Sequence, residues 1–324
     1  MSSTSTPVTE VTFEDIRRAA ERIRPIAKRT PVLTSRSIDA RAGASVFFKC
    51  ENFQTGGAFK IRGASNFILS IPKEQLAKGV VSHSSGNHAQ AVAIAAEVVG
   101  VPATLVMPED APKAKIEGTR ARGAKIVSYD RFGGETREQI SERIARETGA
   151  TIVPPYDHPW TIAGQGTAAR ELLEEVPDLD ALVVCVGGGG LCAGSSIAAR
   201  HLRPAIRVFG IEPELANDTY LSFAAGERVK IETPSTIADG LRTTSPGALT
   251  FPILRRNVEA MLLVSEDEIR ETVKFLMMRM KIVVEPSGAV GAAAVLFKKL
   301  PAGIERIGVI ISGGNVDYQA LAAL

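Results

Sequence analysis

The sequence predicts an α/β protein: two domains with parallel-rich twisted sheets flanked by helices, and a ligand cleft between them. Three observations predict it. From residue 79 onward, short apolar strand patterns alternate with longer helix-period patterns, as in parallel sheets covered by helices on both faces. The run Ala181-Leu182-Val183-Val184-Cys185-Val186 is apolar throughout, as a strand buried on both faces must be. It leads directly into Gly187-Gly188-Gly189-Gly190, a turn without side chains, and then into Leu191-Cys192-Ala193-Gly194, which reads as a helix start. A chain of 324 residues is long enough for one large domain or two modest ones.

The elements follow in order. Residues 1–11 are rich in Ser and Thr and read as a loose tail; no basic segment precedes an apolar stretch there, so no signal peptide is expected. Thr12 can cap a helix over 13–28, with Ile16, Ala19, Ala20, Ile23 and Ala27 on one face. Residues 45–50 read as a strand and 58–69 as a helix. Strands at 80–82, 103–107 and 125–129 precede helices at 87–99, 113–122 and 135–148, and 151–153 is another short strand. A helix over 161–176 leads to the strand at 181–186. Strands follow at 206–211 and 260–264, Ser265 caps a helix over 266–281, and 307–311 is a last apolar strand. The compact βα units between 79 and 155 predict a small inserted domain, with 1–78 and 156–324 building the large one.

Composition excludes several function classes. A hydrophobic content of 45% with 23% charged residues is that of a soluble globular protein. A net charge of +2 is too small to argue for nucleic acid or an anionic membrane surface. No run reaches the ~20 apolar residues of a membrane span; residues 282–297 come closest, and Glu285 and Pro286 interrupt them. The cysteines Cys50, Cys185 and Cys192 lack metal-site spacing and read as reduced thiols of a cytoplasmic protein. His83, His88, His158 and His201 show no metal-ligand spacing, and neither HExxH nor GxSxG occurs.

Five segments can carry chemistry. The turn Gly187 to Gly190 exposes backbone N–H groups at a helix start, which makes a phosphate seat; glycine runs also serve flexible loops and tight helix–sheet contacts. It does not fit the dinucleotide fingerprint, because no acidic residue closes a second strand about 20 residues on. Lys60 stands among small and apolar neighbours in Thr55-Gly56-Gly57-Ala58-Phe59-Lys60-Ile61-Arg62-Gly63-Ala64. Lost solvation would lower its pKa and free its amine for attack on a carbonyl, whereas a surface lysine would snorkel past the same neighbours. Ser84-Ser85-Gly86-Asn87-His88 lies where a helix starts and can bind a carboxylate, or simply cap that helix. Ser312-Gly313-Gly314-Asn315 follows the last strand, facing the crevice where α/β ligands bind or merely ending the strand. Glu212, Asp218 and the carbonyl between them at Ala216 can hold a hard cation, or be a solvated acidic loop.

Taken together, these segments resemble one family over nearly the whole chain, the pyridoxal-phosphate (PLP) enzymes of the tryptophan-synthase-β type. Within it they resemble most the serine/threonine dehydratases, serine racemases and 3-hydroxyaspartate dehydratases. The resemblance is carried by Ala58 to Ala64, Ser84 to His88, Ala163-Gly164-Gln165-Gly166-Thr167, Gly187 to Gly190, Ile237-Ala238-Asp239-Gly240 and Ser312 to Asn315. It implies PLP in the cleft between the domains, bound to Lys60 as a Schiff base, with Phe59 beside the ring and Asn87 on its 3′-oxygen. It implies Gly187, Gly188, Gly189 and Gly190 on the phosphate and Ser312 at the ring nitrogen, where a neutral hydroxyl leaves a weaker electron sink suited to prompt loss of a β-leaving group. Ser84, Ser85, Gly86, Asn87 and His88 would hold the substrate carboxylate, and Lys60 would take the Cα proton. Glu212, Ala216 and Asp218 match a divalent-cation site (Mg, Ca or Mn) of this subgroup.

The implied activity is an ammonia-lyase that turns a 3-hydroxy amino acid of the L-threonine or L-serine type into a 2-oxo acid and ammonia. The alternatives are a threo-3-hydroxyaspartate or phenylserine dehydratase, and a serine racemase with dehydratase side activity. Racemisation needs a second acid/base, for which Ser85 stands in the matching position. Ala58 replaces the Ser of many threonine dehydratases and leaves the substrate open; Arg137 and Arg242 are candidates for a second substrate carboxylate. The nine residues after Asn315 leave no room for a regulatory domain, so isoleucine feedback is not expected. A homodimer is the family expectation. Rival classes are a non-catalytic phosphate-ligand binding protein, against which Lys60 argues, and an NAD-dependent dehydrogenase.

Overall fold

Helix α1 (Phe13–Ile23) opens on a capping box, in which Thr12 Oγ1 accepts the Asp15 N–H and the Asp15 carboxylate accepts the Thr12 N–H. It buries Ile16, Ala19 and Ile23 as the spacing predicts, but stops at Ile23 instead of running to 28. Pro25 is the reason, because it has no N–H to donate and its ring crowds the carbonyl four residues back. The structure, a computed structural model, describes residues 10–84, 86–109, 113–130 and 133–324. Strands β1 (Val32–Leu33) and β2 (Ser45–Cys50) flank α2 (Arg36–Ala42), and α3 (Lys60–Ile68) and α4 (Lys73–Leu76) follow. Then β3 (Val80–His83), α5 (Asn87–Val99), β4 (Ala103–Pro108), α6 (Lys113–Arg120), β5 (Lys125–Tyr129), α7 (Arg137–Thr148) and β6 (Thr151–Ile152) alternate. The long α8 (Pro159–Glu175) leads to β7 (Ala181–Cys185), α9 (Gly190–Leu202), β8 (Arg207–Pro213) and α10 (Asp218–Ala225). The order ends with α11 (Thr250–Asn257), β9 (Ala260–Val264), α12 (Glu266–Met280), α13 (Pro286–Leu296), β10 (Arg306–Ile311) and α14 (Tyr318–Ala322).

Two sheets result. One runs β1-β2-β10-β7-β8-β9 and is parallel except for the edge strand β1, which pairs antiparallel with β2. The other runs β5-β4-β3-β6 and is parallel throughout. The predicted class, parallel-rich sheets flanked by helices, is the class observed. The sequence reading missed α10, α11 and α13 as helices. Helix α13 is buried along its whole length, so it has no polar face and no 3.6-residue alternation to read. No described helix is long and apolar enough to cross a membrane.

Each sheet has its own core. Val183, Val208, Val309 and Ala292 belong to the first, and Leu105, Met107 and Val92 to the second. Helix α3 contributes Ile61, Phe67 and Ile68 to the second core although it precedes that sheet in the chain. Its other side meets α8, where a side chain at Gly164 would collide with the Arg62 carbonyl.

A buried ionic clamp holds α3 to the large sheet. Arg62 Nε and Nη2 donate to the two Glu51 carboxylate oxygens at 2.7 and 2.8 Å, and Nη1 and Nη2 reach Glu171 at 2.7 and 2.8 Å. Lys49 Nζ lies 2.6 Å from Glu171, and Thr30 Oγ1 donates to Glu51 at 2.6 Å. Arg62, Lys49 and Glu51 are almost fully buried. Burial by itself would lower the Arg62 pKa, but the two carboxylates outweigh it and raise it; burial dominates at Lys49 and lowers its pKa.

Candidate active site

Strand-end segments and the start of α3 converge on one cleft. Phe59 N–H donates to the Ser312 carbonyl at 2.9 Å, Ala58 forms a bridge with Gly313, and Gly314 N–H donates to the Gly57 carbonyl at 2.9 Å. This short pairing starts α3 against the carboxyl end of β10, and so brings Lys60 beside Ser312. The glycine turn after β7 and the Ser84 to Asn87 turn after β3 supply further walls. They enclose a cavity of about 270 Å³ lined by Lys60, Phe59, Asn87, Ser312 and Gly187 to Gly190. Ligands of parallel α/β sheets bind at such carboxyl ends.

Lys60 Nζ donates to the Pro155 carbonyl at 2.9 Å and lies 5.1 Å from the centre of the Phe59 ring. Burial pushes its pKa down to about 8 from the ordinary 10.5, with partial opposition from Cys185 and Glu285. A neutral amine is the form that attacks a carbonyl. The rate at which cofactor-free protein captures an aldehyde is therefore expected to rise with pH and level off above about 8. Stopped-flow absorbance against pH checks this; a rise that continues to pH 10 would show an ordinary, solvated lysine.

The floor and rim are polar. Ser312 and Cys185 share the floor, and burial pushes the Cys185 thiol up to about 11, so it stays protonated. Cys50, Cys185 and Cys192 are all free and buried. Asn87 Nδ2 donates to Glu285 at 2.7 Å, and Asn315 Nδ2 donates to Asn87 Oδ1 at 2.9 Å and to the Gly56 carbonyl at 2.7 Å. These bonds bind the start of α5 to the end of β10 and the start of α13. Ser84 Oγ accepts the Gly86 N–H at 3.3 Å. His88 Nε2 lies 3.0 Å from the Val153 carbonyl, and burial, then the charge of Lys60, lowers its pKa to about 3. His88 is thus a neutral imidazole. Ser85, expected on the substrate carboxylate and as a second acid/base, lies outside the described residues.

The candidate cation ligands lie at the end of β8 and the start of α10. Glu212 accepts the Thr219 N–H at 3.1 Å and the Tyr220 N–H at 2.7 Å. Glu212, Ala216 and Asp218 are all buried. Burial, then the neighbouring Asp218, raises the Glu212 pKa, and burial raises Asp218 to about 7. Thr243 Oγ1 lies 3.3 Å from Asp218 and also lines the cavity, which links the two places. Among the described residues, no group of three or more His, Cys, Asp or Glu side chains is arranged to hold a metal ion.

Several wall residues escaped the sequence reading: Glu285, Tyr156, His83 and Ser287. Glu285 had a signal, since an acidic residue directly before a proline that opens an apolar segment is a helix N-terminus. It caps α13, with Pro286 in the first turn. Arg137 and Arg242, which sequence alone could not place, both line the cavity.

The residues fit PLP. The lowered Lys60 amine suits attachment to an aldehyde. A side chain at Gly188 would overlap the Tyr156 ring and one at Gly190 would strike Gln165 Oε1, so the turn is backbone only where a phosphate would approach. Gln165 Oε1 is itself buried without a hydrogen-bond partner in the protein.

Comparison with known proteins supports this fit. The sequence profile of the pyridoxal-phosphate dependent enzymes matches residues 23–313. The chain is 51% identical over 313 residues to the L-threo-3-hydroxyaspartate ammonia-lyase of Saccharomyces cerevisiae, covering 97% of this chain and 96% of that one. It is 50% identical over 311 residues to the serine racemase of Schizosaccharomyces pombe, covering 96% of each. Among solved structures, maize serine racemase matches with a TM-score of 0.93 at 46% identity over 97% of both chains. A bacterial-type threonine deaminase structure, from T.th., matches with a TM-score of 0.89 at 43% identity, covering 95% of this chain and 99% of that one.

Proposed function

This chain belongs to the pyridoxal-phosphate dependent enzymes, and on that premise we propose that it is an ammonia-lyase. It converts a 3-hydroxy amino acid of the L-threonine or L-serine type to a 2-oxo acid and ammonia by β-elimination. The observation that carries the reading is Lys60, an enclosed amine with a pKa of about 8 between the glycine turn and the Ser84 to His88 turn.

The cofactor, when bound, supplies an electron sink for the pair left at Cα. Lys60 holds it in the cleft and then, freed by the incoming substrate amine, takes the Cα proton on Nζ. The turn Gly187 to Gly190 binds the phosphate through backbone N–H groups. The turn Ser84 to His88 orients the substrate carboxylate at the start of α5. Ser312 offers the ring nitrogen a neutral hydroxyl instead of a carboxylate. The β-hydroxyl leaves with a proton as water, and water later releases ammonia.

A second reading, favoured by Arg137 and Arg242 on the cavity wall, is a threo-3-hydroxyaspartate lyase whose second carboxylate meets this cationic edge. The relative described as an L-threo-3-hydroxyaspartate ammonia-lyase supports it. Release of 2-oxo acid is measured in parallel from L-serine, L-threonine, L-threo-3-hydroxyaspartate and L-threo-phenylserine. Release from one or more, lost in Lys60→Ala, supports the lyase and names its substrate. Racemisation of L-serine without any release overturns it.

The same reading places a divalent cation on Glu212, the Ala216 carbonyl and Asp218, where it would offset two buried carboxylates. Chelation is expected to lower the melting temperature by several degrees, and Mg²⁺, Ca²⁺ or Mn²⁺ to restore it. No change on chelation of metal-loaded protein would remove the cation from the proposal. Residues 79–155 are read as the small inserted domain, a division supported by the four strands β3 to β6 falling within 80–152. A homodimer is supported by the exposed apolar side chains Phe53, Met278 and Val283, and a cytoplasmic location by three free buried cysteines.

A further inference from the structure

We propose that Thr250, itself held by Asp157, is a positioning residue that aims the amide N–H groups of the glycine turn into the cavity and thereby sets the site's affinity for a phosphate group. The proposal rests on the reading of this turn as the phosphate seat and asks what gives the seat its shape.

Four consecutive glycines do not choose a conformation by themselves. Glycine takes either sign of φ with similar ease, so a free turn of this kind would scatter its N–H groups in all directions. Here the choice is made from outside. The Gly188 carbonyl accepts the Thr250 hydroxyl at 2.7 Å and the Gly247 N–H at 3.2 Å. Thr250 is completely buried, so this hydroxyl bond has no water competing for it. In a trans peptide the C=O and the following N–H point in opposite directions. A Gly188 carbonyl turned towards α11 therefore turns the Gly189 N–H the other way, to the side where the turn lines the cavity. Gly189 itself has φ +91, and a Cβ there would lie 2.8 Å from Thr250 Oγ1, so Thr250 also packs the turn from behind. Among the described residues, the N–H groups of Gly187, Gly188, Gly189 and Gly190 find no acceptor within the protein. Gly190 opens α9, which adds its positive dipole end.

Thr250 is fixed in turn by a residue far away in sequence. Helix α11 begins without a local side-chain cap. Asp157 supplies one from 92 residues before Leu249: Oδ1 accepts the Leu249 N–H at 2.9 Å and the Thr250 N–H at 3.2 Å, and Oδ2 accepts the Ala248 N–H at 2.8 Å. Its neighbour Tyr156 closes over Gly188 on the opposite side from Thr250 Oγ1, so residues 156–157 and 250 grip the turn between them. No glycine-run pattern could reveal this, because the groups that orient the turn lie on two other segments.

The test separates phosphate binding from everything else in the site. Full-length protein stripped of cofactor is titrated with PLP and, separately, with pyridoxal, which carries the same aldehyde and ring but no phosphate. Thr250→Val keeps the shape and removes the hydroxyl; Thr250→Ser keeps the hydroxyl. The valine variant is expected to bind PLP about tenfold more weakly, the size of one buried hydrogen bond lost, with pyridoxal affinity unchanged. The serine variant is expected to stay within about twofold of the unsubstituted protein on the same grounds. Unchanged PLP affinity in Thr250→Val, an equal loss for pyridoxal, or an equal loss in Thr250→Ser would each overturn the proposal. Should Thr250→Val not fold, Asp157→Asn is read in the same way: a loss confined to PLP supports the proposal, and none, or one shared with pyridoxal, overturns it. Unsubstituted protein that binds PLP no tighter than pyridoxal would overturn the phosphate-seat reading and this inference with it. A normal preference for PLP that Thr250→Val leaves intact overturns this inference alone.

Discussion

Replacing Lys60 by alanine is expected to lower 2-oxo acid release from every 3-hydroxy amino acid by at least about 10³-fold, since it removes the base that carries the Cα proton. The loss should be chemical and not structural. Lys60 donates one hydrogen bond of 2.9 Å, to the Pro155 carbonyl, and its enclosed ammonium is held there at the cost of its solvation. Taking it away relieves that burial, so the melting temperature should hold or rise. The glycine turn, Ser312 and Asn87 are untouched, so the variant should still bind PLP, without the visible band of a covalently attached cofactor. Activity assays, a melting curve and an absorbance spectrum on the same preparation check all three. Retained release with retained colour would place the base and the attachment point elsewhere.

The second large effect is on folding. Arg62→Leu should destabilise the protein by roughly 3–5 kcal/mol, because it leaves Glu51 and Glu171 buried with much of their compensating charge gone. Lys49 remains beside Glu171, which keeps the loss from being larger. The direction of the pH dependence follows from Glu171. Burial would raise its pKa, but Arg62 and Lys49 outweigh burial and hold it below the ordinary 4.5. A carboxyl with a lowered folded pKa stabilises the fold above its unfolded value and loses that contribution as pH falls through the folded one. The difference between Arg62→Leu and the unsubstituted protein should therefore be full at pH 7 and shrink below about pH 4.5. Denaturant midpoints at pH 7 and pH 4 measure it. A difference under about 1 kcal/mol at pH 7 would mean that the clamp contributes no more than an exposed pair.

Legibility varied with the kind of signal. Strands β2 to β5 and β7 were readable because burial on both faces leaves an unbroken apolar run. Caps at Thr12 and Ser265 were readable because the capping box is local in sequence. Helix α13 was not, since a helix buried all round shows no periodicity, and the two arginines at the cavity wall could be named but not placed. Glu285 was hidden inside an apolar stretch and looked like an interruption, whereas it caps a core helix and accepts from Asn87 across the cleft.

By itself the sequence determined the α/β class, the parallel alternation, the glycine turn and a lysine in apolar company, because each depends on neighbours along the chain. Tertiary structure alone decided that Lys60 meets Ser312, that Arg62 pairs with Glu51 and Glu171, and that Thr250 and Asp157 orient the glycine turn. Those contacts join residues tens to hundreds of positions apart. Their geometry, and with it the lowered pKa and the direction of each N–H, exists only once the sheets have packed and water has left the cleft.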